Sequence, residues 1–114
     1  MSEPISGNAI RGHLETMVLS TLERQETHGF EILRRIDQAG RGSLSMKEGS
    51  LYPALYRMEK SGLVKARWDD KAKGRGPRRR VYRLTTKGRR QLQRGRQEWN
   101  HFVAIIGPIL GATT

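Results

Sequence analysis

The sequence predicts an α+β domain in which three short helices lead into a two- or three-stranded β hairpin and one long C-terminal helix closes the chain. Three observations carry that expectation. Apolar residues recur at helical spacing three times before Gly62 and once more after Thr86. Between those stretches the period shortens to two, on either side of a basic loop containing Gly and Pro. At 114 residues, 35% of them hydrophobic, the chain has material for one modest core and no second domain.

Ile10, Leu14, Met17, Val18 and Leu22 fall on one helical face and predict a first helix, interrupted by the polar run Gln25 to Thr27. Phe30, Leu33 and Ile36, with Ile32 and Ala39 alongside, predict a second that stops at Gly40-Arg41-Gly42. Ser43-Leu44-Ser45 is suited to a minor strand. Ser45-Met46-Lys47-Glu48 has the S-x-x-E form of a capping box, and a third helix follows with Leu51, Leu55 and Met58 on its stripe. Gly62 ends that helix, because glycine takes the left-handed conformation helix ends favour. Pro53 conflicts with a cap at Ser45, since it would remove an interior hydrogen bond; a tight opening turn or a kink near Gly49 is expected.

Alternation then places Val64, Ala66 and Trp68 on one side of a strand and Lys65 and Arg67 on the other. A second strand puts Tyr82 and Leu84 on one face and Val81, Arg83 and Thr85 on the other, after the loop Asp69 to Arg79. Thr85 or Thr86 caps the last helix, on which Leu92, Trp99, Val103, Ile106 and Leu110 lie within about 60° of one another, flanked by Phe102. Gly107-Pro108 is expected to end it. So small a domain cannot cover all of this stripe, which would leave a large apolar patch in water. A second copy of the chain is the expected cover, with Leu92, Trp99, Phe102, Val103, Ile106 and Leu110 at the seam. The expected organisation is an N-terminal arm over 1–9, a core domain over 10–85, and a dimerisation helix with its tail over 86–114.

Charge is distributed very unevenly. Residues 1 to 70 balance ten basic side chains against ten acidic ones, so the whole excess of +11 lies downstream, where Glu98 is the one acid among 44 residues. Such a field selects a polyanion, nucleic acid first and an anionic membrane surface second. A membrane-surface helix fits poorly, because the basic and apolar parts of the last helix are consecutive rather than on opposite faces. No stretch approaches the roughly 18 apolar residues of a membrane span. The chain has no cysteine, and His13, His28 and His101 are too scattered for a local metal motif. With no nucleophile–base or acid pair to place together, neither an enzyme nor a cofactor is expected, and the expected location is the cytoplasm.

Three helices followed by a basic hairpin is the order of a winged helix-turn-helix, in which the third helix enters the major groove of double-stranded DNA. Ser50, Pro53, Arg57 and Lys60 lie opposite the buried stripe of that helix. The candidate groove residues are Lys47, Ser50, Tyr52, Pro53 and Arg57: hydroxyls and the cations bond phosphates or base edges, and proline touches a thymine methyl. Tyr52, at the edge of the stripe, is half core and half phosphate contact. Six bases in ten residues between Lys71 and Arg80 form the wing, where Lys71, Lys73, Arg75, Arg78 and Arg79 supply salt-dependent phosphate contacts. Arg75 and Arg78 also suit a narrow minor groove. A sequence-neutral nucleoid-associated or RNA-binding protein is the alternative from the same charge.

His28-Gly29-Phe30-Glu31-Ile32, Glu48-Gly49-Ser50-Leu51-Tyr52-Pro53-Ala54-Leu55, Arg57-Met58-Glu59, Ser61-Gly62-Leu63-Val64 and Tyr82-Arg83-Leu84-Thr85 resemble the landmarks of PadR-family transcriptional regulators, in that family's order. Phe30 stands where tyrosine is more usual, which changes a hydroxyl but not the packing role. The resemblance implies a dimeric winged-helix protein that binds a pseudo-palindromic operator, usually as a repressor released by a small effector. The single last helix is similar to that of the family's smaller subfamily. In multidrug-sensing members a tryptophan on the last helix sandwiches flat aromatic ligands between subunits, and Trp99 resembles it, with Glu98 placed to neutralise a cationic ligand. Packing of Trp99 as ordinary dimer core is the other reading.

Overall fold

The structure, a computed structural model, describes residues 12–69 and 79–111. Helix α1 spans Leu14–Thr21 and turns Val18 and Leu19 fully inward. Leu19, absent from the expected stripe, is as buried as Val18, because the face of α1 is sandwiched between later elements rather than laid on one of them. Ile10 and the arm 1–9 lie outside the described residues.

Strand β1 is Thr27–His28 and runs directly into α2, Gly29–Ala39. His28 is the N-cap of α2: its Nδ1 accepts the Glu31 amide at 3.3 Å. Ile32 and Ile36 face the core. Phe30 corrects the sequence reading, since it stands 65% exposed in the first turn and takes no part in the core. Ser43-Leu44-Ser45 is corrected as well. Leu44 and Met46 alternate inward, yet the segment does not join the sheet, and the third strand is Thr27–His28 instead.

Helix α3 spans Glu48–Lys60, with Leu51, Ala54, Leu55 and Met58 buried. The expected capping box does not form. The N-cap is Lys47, without a side-chain cap bond, and Ser45 Oγ donates instead to Asp37 Oδ1 at 3.0 Å. Starting at Glu48 leaves Pro53 inside the helix, on its exposed face, where the missing amide bond falls on the solvent side. The end of α3 is as expected. The Leu63 amide reaches back to Met58 O at 2.9 Å and that of Gly62 to Glu59 O at 3.1 Å, around a left-handed Gly62 with φ of 79°.

Strands β2, Val64–Asp69, and β3, Arg79–Leu84, pair antiparallel with Val64 opposite Leu84 and Asp69 opposite Arg79. Because β1 pairs on the other side of β3, the sheet order is β1-β3-β2. Central placement explains why Val81, on the outer face, is buried: it stands between His28 of β1 and Arg67 of β2.

Helix α4 runs Thr86–Leu110. Thr85 caps it, accepting from the Gly88 amide at 3.0 Å while its hydroxyl donates to Gly62 O at 2.6 Å, which joins the end of α3 to the start of α4. Gly107-Pro108 does not end the helix, which continues to Leu110 and stops at a left-handed Gly111. Pro108 has no amide to bond to Ala104 O, and the helix runs only two residues beyond it. Twenty-five residues make a rod about 37 Å long. Only its first half meets the core, which gives the molecule its 56 Å long axis.

Candidate nucleic-acid interface

Burial of Leu51, Ala54, Leu55 and Met58 rotates α3 so that Lys47, Ser50, Pro53, Arg57 and Lys60 all project into solvent. Ser50, Pro53, Arg57 and Lys60 are the residues the sequence placed on that face, and Lys47 is the N-cap before it. Tyr52 is 44% exposed, and its ring lies over Gly29: a Cβ built there would stand 2.5 Å from Tyr52 Oη. The glycine therefore lets α2 and α3 approach around a tyrosine whose hydroxyl end reaches the N-terminus of α2. Tyr56, also exposed, carries Lys60 over its ring at 5.0 Å from the centroid.

The hairpin continues this surface. Lys71, Lys73, Arg75 and Arg78, expected at its tip, lie outside the described residues. Arg79 is exposed at the loop end of the β2–β3 pair and points Nη1 toward His28 Nε2 at 3.1 Å. His28 is thus approached by a donor at each ring nitrogen, the Glu31 amide and Arg79. Burial, and then the Arg79 charge, push its pKa below the usual histidine value, against the pull of Glu31 and Asp69.

Arg80 belongs to the same basic run but faces the other way. Alternation puts it on the side of Tyr82 and Leu84, toward α3, where its guanidinium makes two hydrogen bonds of 3.1 Å to the Glu59 carboxylate. It also lies 5.6 Å from the Trp68 ring centroid and 5.9 Å from that of Tyr82. Burial raises the Tyr82 pKa, opposed by the Arg80 charge. Sequence reasoning missed this pair. The signal was present: extending the Tyr82–Leu84 face back by two residues reaches Arg80.

The stripe of α4 divides into two parts. Leu92 is fully buried in the domain's own core, which corrects its expected place at a seam between copies. Beyond Gly95 the rod overhangs. Trp99 and Phe102 are about half exposed, Val103 and Ile106 are partly covered, and Ile105, Ile109 and Leu110 stand in solvent. Trp99 meets the edge of His13 at 5.2 Å and stacks on Phe102 at 6.0 Å. Glu98, His101, Phe102, Ile105 and Ile106 line a shallow open groove on this rod. Among the described residues no cluster of His, Cys, Asp or Glu is arranged to hold a metal ion. Among the same residues, no helix is long and apolar enough to cross a membrane.

The arrangement has close counterparts. An uncharacterized protein of Lysinibacillus sphaericus is 30% identical over 102 residues, covering 90% of this chain and 92% of the relative. A transcriptional regulator from Clostridium thermocellum, at 30% identity, superposes with a TM-score of 0.81 over 90% of this chain and 97% of its own. Bacillus subtilis PadR, solved in complex with operator DNA, shares the fold at a TM-score of 0.62 and 24% identity, over 70% of this chain and 44% of its own. Residues 18–94, from the core of α1 through the buried start of α4, match the model of the PadR-like transcriptional regulator family, and the chain belongs to that family.

Proposed function

We propose that this protein is a cytoplasmic DNA-binding transcription regulator that acts as a homodimer, without catalysis, on a pseudo-palindromic operator. One observation carries the reading: α3 exposes Lys47, Ser50, Pro53 and Arg57 on the face opposite its buried stripe, beside a hairpin that bears most of the basic excess. An exposed helix of this kind fits the major groove, where Arg57 reads base edges and Lys47, Ser50 and Tyr52 contact phosphates. The wing cations Lys71, Lys73, Arg75, Arg78 and Arg79 add phosphate contacts that set affinity more than sequence choice. Operator DNA bound by Bacillus subtilis PadR supports duplex DNA as the ligand class.

Trp99, Phe102, Val103, Ile106 and Leu110 form the seam with a second copy, since an apolar surface of this extent on a lone chain would remain in water. Two copies present two α3 helices to half-sites roughly 34 Å apart, or a multiple of that. Occupying the promoter represses it. A flat aromatic or cationic effector held near Trp99 and Glu98 changes the separation of the two reading helices and releases the DNA.

A titration at about 150 mM salt compares the chain's upstream promoter duplex with random duplex of equal length. A preference of about a thousandfold, with two chains per site, is the expected result. Equal affinity for both duplexes identifies instead a sequence-neutral nucleic-acid binder.

A further inference from the structure

Arg78, Arg79 and Arg80 are consecutive in the basic run of the wing, of which the sequence reading named the first two as phosphate contacts. The structure separates Arg80 from Arg79, which points toward His28. Arg80 stands opposite Trp68 on β2 and shares its strand face with Tyr82 and Leu84, both buried. Its guanidinium spends two donors on one carboxylate, Glu59 of α3, at 3.1 Å each. Its Nε is buried with no hydrogen-bond partner among the described residues. The Arg80 and Glu59 side chains are 37% and 31% exposed, so the two-pronged geometry and the contacts with Trp68 and Tyr82, rather than burial, commit the guanidinium to this carboxylate. Glu59 is the next-to-last residue of α3, on the helix proposed to enter the groove. The pair therefore bridges the two parts of the reading surface: the helix and the hairpin.

We propose that Arg80 is a positioning residue which locks the wing to the recognition helix through Glu59 and does not itself contact DNA. This rests on α3 and the hairpin being the DNA-reading surface. With the bond intact, α3 and the base of the wing move as one body, so phosphate contacts at the wing also orient the helix in the groove. Without it, each part binds with less help from the other. The positive charge of Arg80 is already neutralised by Glu59, so it adds nothing to the count of phosphates neutralised.

The test measures affinity for the upstream promoter duplex, and the slope of log affinity against log salt, in wild type, Arg80→Gln, Glu59→Gln and the double variant. Both single variants are expected to weaken binding by a similar factor, about three- to tenfold, with the double variant no worse than either. The salt slope is expected to stay at the wild-type value. Tighter binding by Glu59→Gln, or a slope reduced by about one in Arg80→Gln, overturns the proposal and makes Arg80 a phosphate contact. Arg80→Lys keeps the charge but not the two-pronged grip, and it is expected to lose as much affinity as Arg80→Gln; wild-type affinity there also overturns the proposal. Trp68 emission in a Trp99→Phe background reads the clamp without nucleic acid, since Trp68 and Trp99 are the chain's two tryptophans. Arg80→Gln and Glu59→Gln are expected to shift it alike, and unchanged emission in both overturns the clamp. If no duplex is bound by the wild type, the regulatory reading falls while this last measurement still decides whether the wing is locked.

Discussion

Gly95 of α4 lies against Thr16 of α1 so closely that a Cβ built on it would stand 2.5 Å from Thr16 Oγ1 and 3.2 Å from Thr16 Cβ. The next residue, Arg96, holds Glu23 with hydrogen bonds of 2.7 and 3.0 Å, 73 positions back in the chain. That bond lowers the Glu23 pKa and raises that of Arg96. The long helix is thus seated on α1 by a close approach and a two-pronged ion pair, just before it leaves the domain.

Gly95→Ala forces α1 and α4 apart, because the obstructing atoms belong to a short, β-branched side chain that is stiff at χ1. The better helix propensity of alanine offsets part of this. A net loss of about 1 kcal/mol in unfolding free energy is expected by denaturant titration. Gly95→Ala combined with Thr16→Ala recovers it. Gly88→Ala costs more, about 3 kcal/mol, because the added methyl meets the Leu63 carbonyl oxygen, which is backbone.

Leu92 and Phe102 share an apolar stripe but do different work. Leu92→Ala opens a hole in a fully buried site and is expected to cost about 3 kcal/mol of stability. Phe102→Asp leaves the core intact and, on the proposed seam between two copies, is expected to shift the protein to monomer, as read by sedimentation. A dimer that survives Phe102→Asp and Ile109→Asp together rules out this seam.

Acid weakens the fold in two steps. His28 has a folded pKa below its ordinary 6.5, so its neutral form is the one the fold favours. Above 6.5 both states are neutral and that contribution is whole; as pH falls below 6.5 the unfolded chain takes up the proton first and stability is lost. Glu31, held by Arg34 and then Arg35, has its pKa lowered from 4.5 to about 2. Its contribution is present above 4.5 and disappears as pH falls toward 2. In thermal melts monitored by circular dichroism across pH, His28→Asn should remove the first step and leave the second. Glu31→Gln should flatten the second.

Arg57→Ala should relax discrimination between promoter and random duplex by about 1–3 kcal/mol, with little change in salt slope. Arg78→Ala should weaken both duplexes alike and reduce the slope by about one. Equal losses on both duplexes for both variants would refute this division of labour.

The exposed face of α3, the hairpin, the Gly62 helix end and the Thr85 cap were legible in the sequence, because each depends on residues within a few positions of one another. The Ser45 capping box failed for a tertiary reason: Asp37, eight positions back, takes the serine hydroxyl. Phe30 failed similarly, since helical spacing reports which residues share a face and not whether a neighbour covers it. Leu92 and Trp99 sit on one stripe, yet the first is core and the second is half exposed, because α1 meets Trp99 with only the edge of its N-cap His13.

Sequence alone determined the order of the four helices and the two hairpin strands, the apolar face of α3 and the concentration of positive charge after Asp70. These follow from periodicity, capping and composition, which act locally. Tertiary structure decided that Thr27–His28 completes the sheet, that Arg80 turns away from Arg79 to grip Glu59, and that Arg96 holds Glu23. Those pairings join residues 21 and 73 positions apart, and only the packed core brings their side chains within hydrogen-bond reach.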